Sequence, residues 1–142
     1  MKRDIEVLNR LYKVVDMGIL GVEEVIKKVE DPCLEKLMID QKKEYAIIRS
    51  DIKKFMDEYE EDPKGINPVV KMSNDLMTNM KLMSNEDDKA IAKMMLEGTN
   101  KGIIEVTNIK NEEDFKNKEI CEIVEHLLST LEYNEKELKK YI

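Results

Sequence analysis

The chain has 142 residues, 42% of them hydrophobic and 39% charged, with a formal net charge of −7. That length suits a single domain spanning 1–142 with a real core, and the acidic balance argues against nucleic acid, which needs a basic face. No apolar run reaches the roughly 18 residues of a membrane span, and the N-terminal MKRDIEVLNR lacks the apolar stretch of a signal peptide. A cytoplasmic protein is therefore expected, with no membrane partner. Lysine far outnumbers arginine, and Asn, Ile and Glu are abundant, which reads as the base composition of an AT-rich bacterium.

Helical periodicity runs through almost the whole chain. Ile5, Leu8, Tyr12, Val15, Ile19, Val22, Ile26 and Val29 alternate steps of three and four, a heptad seam. Asp31-Pro32 ends that helix, because proline neither donates nor continues it comfortably. The same rhythm resumes at Leu34, Met38, Gln41, Tyr45, Ile48, Ile52, Phe55 and Tyr59, and stops where Pro63 and Gly65 lie close together. Asn67-Pro68 gives an N-cap followed by proline at the first helical position, starting a shorter helix through Met72, Leu76, Met80 and Met83. Ser84 and Asp87 resemble a capping box opening the next helix, whose stripe is Ile91, Met95, Gly98, Gly102 and Ile109. The last helix follows the polar stretch 111–114, with Ile120, Val124, Leu127, Leu131, Asn134, Leu138 and Tyr141 on one face.

The expected elements are helices over 4–30, 33–60, 68–83, 86–110 and 114–141, with no strand. Tight turns near 31 and 112 make two antiparallel hairpins. The short helix between them covers about 24 Å at 1.5 Å per residue, enough to return the chain along most of the bundle. Two hairpins joined by one long crossover resemble the ferritin-like all-α four-helix bundle.

That topology predicts a level at which four helices face one another. Counting inward from the pole shared by the first turn reaches Glu23, Gln41, Met94 and Asn134. Gln41 and Asn134 are the polar residues on otherwise apolar seams, and each unpartnered buried amide would cost about 1–3 kcal/mol. Such a layer is a candidate site. In ferritin-like di-iron proteins two helices each give a Glu and two give Glu-x-x-His at this level. Here the second helix offers Gln41-Lys-Lys-Glu44 and the last offers Leu131-Glu-Tyr-Asn134, while the third long helix shows Met94, Met95 and Leu96 before Glu97. Glu23 with Glu24 is the pair standing where a family ligand would. Two metal ions need several anionic or imidazole donors, and amides substitute poorly. Glu23, Gln41, Glu44, Glu97 and Asn134 are thus read as positions of a degenerate metal site. His126, the single histidine, follows Ile123 rather than a glutamate at the required spacing, and is expected on a solvated face.

Leu8-Asn9, Gly18 to Glu24, Asp31-Pro32, Gln41 to Tyr45 and Glu97-Gly98 together resemble a branch of uncharacterised bacterial ferritin-like proteins related to rubrerythrins. The resemblance covers nearly the whole chain. It implies a helical domain whose metal ligands are often degraded, with some relatives linked to stress or sporulation and most without an assigned activity.

Ten methionines, several along 72–83, read as filler of irregular space, a soft-metal or docking surface being the sharper alternative. Gly18, Gly21, Gly98 and Gly102 mark a close crossing inside the bundle or a contact between copies. Cys33 and Cys121 fall near opposite poles, about 30 Å apart by helical rise, too far for a disulfide. No phosphate loop, nucleophile elbow or other catalytic motif is present. The expectation is a non-enzymatic interaction protein without a cofactor, a homodimer with a further protein partner. The alternative is a weak iron or manganese binder using Glu23, Glu44 and Glu97.

Overall fold

The computed structural model describes residues 2–64, 87–112 and 117–142. The expected crossover helix over 68–83, with its cap at Asn67 and its methionines, lies outside the described residues. Within them, regular structure is entirely helical. Helix α1 spans Lys2–Val25 and tightens into a 3-10 turn, Ile26–Lys28. Helix α2 spans Pro32–Glu58, α3 Asp88–Asn111 and α4 Lys118–Leu138, the last followed by a 3-10 turn, Lys139–Tyr141.

The helix starts follow from local chemistry. The Asp31 carboxylate accepts from Cys33 N at 2.7 Å while Pro32, lacking an N–H, occupies the first turn where no partner is required. At α3 the cap is Asp87, which is extended and accepts from Ala90 N at 2.7 Å, so the helix begins at Asp88, two residues later than expected; Ser84 lies outside the described residues. Asn117 accepts from Glu119 N and Ile120 N and sets the start of α4 at Lys118, not 114. Asp88 has a second task. Its carboxylate accepts from the backbone N–H groups of Glu30 at 2.9 Å and Asp31 at 2.7 Å, tying the start of α3 to the α1–α2 turn.

That tie defines the pole predicted from topology. Helix α1 packs on α2 and α3, α4 packs on the same two, and α1 and α4 face each other across the diagonal. The seams of α2 and α4 are buried as expected, from Leu34 to Phe55 and from Ile120 to Leu138. Helix α1 buries a wider stripe than a heptad seam, adding Val7, Leu11 and Val25, while Ile5, Tyr12 and Ile26 are only partly covered. It has neighbours on two sides, and two-sided packing needs a broader apolar face.

The apolar core falls into two clusters. One, at the pole, holds Val22, Val25, Leu34, Met38, Ile91, Met95 and Leu138. The larger runs to the far end through Leu8, Ile19, Ile48, Ile52, Val106, Ile109, Leu127 and Leu131. Between them along the chain, Gln41 separates Met38 from Tyr45, Thr99 separates Met95 from Val106, and Asn134 separates Leu131 from Leu138. At the far end, Arg3 and Arg10 of α1 pair with Glu112, which caps the end of α3, and Arg10 also pairs with Glu105 of α3. Among the described residues no helix is long and apolar enough to cross a membrane.

Candidate functional site

Gln41, Thr99 and Asn134 are the buried polar residues among those described; Asn134 and Thr99 meet Tyr45 in a layer, and Gln41 lies one helical turn before Tyr45 on α2. Gln41 and Asn134 are each 2% exposed. Asn134 Nδ2 donates to the Tyr45 hydroxyl at 2.9 Å, joining α4 to α2. Thr99 also interacts with that hydroxyl, while its own proton goes back to the Met95 carbonyl at 2.8 Å. The bonds at this level thus run from Asn134 to Tyr45 and from Thr99 to the Met95 carbonyl.

Tyr45 reaches that position because α1 gives way to it. A Cβ added at Gly18 would lie 2.7 Å from Cε2 and 2.9 Å from Cδ2 of the Tyr45 ring, distances no real side chain accepts. Gly102 makes similar room at a neighbouring level, where an added Cβ would meet Leu131 at 3.3 Å and Val14 at 3.5 Å. Both glycines thus serve crossings inside the bundle. Burial raises the Tyr45 pKa, the bonds from Asn134 and Thr99 opposing it less strongly, so the phenol stays protonated and neutral at ordinary pH.

The carboxylates expected at the site lie elsewhere. Glu23 is exposed and sits 3.4 Å from Lys42 Nζ. Glu44, its side chain 40% exposed, pairs with His126 Nε2 at 2.6 Å. Glu97 is exposed on α3, and Met94 is buried in the pole cluster. Asn134 is thus brought to Tyr45, with Gln41 buried one helical turn before it, whereas Glu23 and Glu97 are exposed and Glu44 is engaged with His126. Among the described residues no three His, Cys, Asp or Glu side chains converge as a metal site.

Two members of the layer escape a reading of the sequence. Tyr45 passes for an apolar seam residue, although an aromatic hydroxyl four residues after a buried Gln is a signal for a buried bond. Thr99 is hidden because the apparent α3 stripe passes through Gly98, which is exposed and has nothing within 4 Å of a would-be Cβ. His126 is exposed as expected, but no pattern in the sequence points to its link with Glu44. Cys33 and Cys121 are both exposed and free.

Chemically, the layer is uncharged: two carboxamides, a phenol and an alcohol. A di-metal centre in a bundle of this shape draws on inward glutamates and histidines to offset its charge. The described residues of the layer do not supply that charge, and their hydroxyls and one amide are already engaged with one another. The set fits hydrogen bonding to neutral groups.

The architecture is that of a ferritin-like, all-α four-helix bundle. A profile of the family described as "Domain of unknown function (DUF2383)" matches residues 3–112, and the chain belongs to that family. No curated protein matches it. Among solved structures it is similar to the bacterioferritin-related protein from Bacteroides fragilis, described as a dodecameric thioferritin. The two share 16% identity over 99% of this chain and 84% of that one, with a TM-score of 0.75. At that identity the likeness concerns the fold alone.

Proposed function

We propose that this protein is a non-enzymatic ferritin-like bundle, a single cytoplasmic domain that acts through contacts with other proteins, the first of them copies of itself. In this reading Glu23, Gln41, Glu44, Glu97 and Asn134 mark a metal site that has lapsed. The observation that carries it is the exchange of roles in the layer. Neutral Gln41, Tyr45, Thr99 and Asn134 fill the buried level, while the acidic side chains Glu23 and Glu44 pair outward with Lys42 and His126. A core organised this way holds helices in register. Among the described residues it has no buried charged group with which to bind or activate a substrate.

Self-association is supported by two features. The similar Bacteroides protein is described as dodecameric. Met17, Ile47, Ile104 and Tyr133 present large apolar surface to solvent on four different helices. A homodimer is the smallest assembly that would cover some of this surface. Native mass spectrometry after incubation with iron(II) or manganese(II) tests both halves. The expected species is an even multiple of the chain mass without stoichiometric metal. One or more ions per chain would favour an ion held through Glu23, Glu44 and Glu97 instead, and a monomer at micromolar concentration would overturn the self-association.

A further inference from the structure

The hydrogen bonds recorded in the layer are made without Gln41. Asn134 donates to the Tyr45 hydroxyl, and Thr99 donates to the Met95 carbonyl. Gln41 sits one helical turn before Tyr45 and is 2% exposed, yet among the described residues neither its Nε2 nor its Oε1 has a partner. Turning the amide over does not help, because both ends are unmatched and a flip only exchanges them. Each buried unpaired end costs about 1–3 kcal/mol. The neighbouring seam positions are apolar, so packing alone gives no reason for a carboxamide here.

We propose that the layer is a binding site for internal water, held by the Gln41 carboxamide. A carboxamide offers two donors and an acceptor and carries no charge. A buried cation or anion there would find no opposite charge in the layer, whereas water donates, accepts and stays neutral. Water needs at least two polar partners to remain in an interior. The Gln41 amide supplies one, and the hydroxyl of Tyr45, buried one helical turn further along α2, is the candidate for a second. The apolar clusters on both sides limit the guest to this plane and slow its exchange with bulk solvent. This goes beyond the proposed function, since a self-paired Gln41 would remove the water and leave the lapsed metal site untouched.

The test compares the wild-type chain with Gln41→Met, which keeps the side-chain length and removes both polar ends. Oxygen-17 relaxation dispersion counts long-lived internal waters, and water-exchange spectra report contacts to the Gln41 side-chain amide. The expected result is at least one long-lived water fewer in Gln41→Met, with water cross-peaks to the Gln41 amide in the wild type. An equal count in both proteins, or amide cross-peaks to Asn134 or Tyr45 alone, overturns the proposal. Should Gln41→Met fail to fold, a high-resolution wild-type crystal structure decides. Water density within about 2.7–3.2 Å of Gln41 Nε2 or Oε1 supports the site, and a metal ion or a direct protein bond there overturns it.

Discussion

The Asn134 amide on α4 donates to the Tyr45 hydroxyl on α2, and the Tyr45 ring lies where a side chain at Gly18 of α1 would have to be. Three helices are thereby fixed at one level by one side chain. Substitutions along this contact should be felt out of proportion to their size.

Gly18→Ala adds one methyl group 2.7 Å from the Tyr45 ring. Alanine is worth about 1 kcal/mol over glycine in a helix, but overpacking costs about 1–3 kcal/mol and here also displaces the hydroxyl from Asn134. Net destabilisation of about 1–2 kcal/mol is expected. Gly98→Ala is the matched control: it meets nothing within 4 Å, so only the helical gain remains. It should stabilise by about 0.5–1 kcal/mol. Denaturant titration of both variants reads the opposite signs, and equal signs would contradict the packing described.

Gln41→Leu and Tyr45→Phe separate the two halves of the layer. Leucine at 41 removes an amide with no protein partner, so stability should be unchanged or higher by up to about 2 kcal/mol. Phenylalanine at 45 leaves Asn134 Nδ2 without its acceptor, and a loss of about 1–3 kcal/mol is expected. Thermal and denaturant unfolding distinguish them. A large loss in Gln41→Leu would show that the amide holds more than a replaceable guest.

At the far end of the bundle, the hydrogen bond from Arg10 lowers the Glu112 pKa, with the charges of Arg10 and Arg3 adding to it and partial burial opposing. A lowered folded-state pKa means that the unfolded chain binds the proton more readily. The stabilisation is therefore complete above the ordinary Glu value of roughly 4.3 and is lost as pH falls through the lower, folded value. Carboxyl NMR should find Glu112 titrating below the exposed glutamates, and Arg10→Ala should move it back up. An unchanged Glu112 titration in Arg10→Ala would contradict the pairing.

Much of this arrangement is legible in sequence, and for a physical reason. Seams on α2 and α4 repeat in steps of three and four, so a polar residue on them stands out, and topology then puts Gln41 and Asn134 at one level. The side chains that complete the layer are harder to see. Tyr45 is apolar by pattern and polar by function, and glycine at 98 and 102 carries no side chain to reveal which face of α3 turns inward. The carboxylates mislead in the opposite way: Glu44 has the right spacing from Gln41, but three residues round a helix turn it toward His126.

That the buried level of this ferritin-like bundle is a neutral hydrogen-bonded layer is tested most directly by anomalous diffraction. Crystals grown with iron or manganese would be recorded on both sides of the metal edge. No anomalous peak is expected among Gln41, Tyr45, Thr99 and Asn134, and none between Glu23 and Glu44. A peak of full occupancy at either place would contradict a neutral layer.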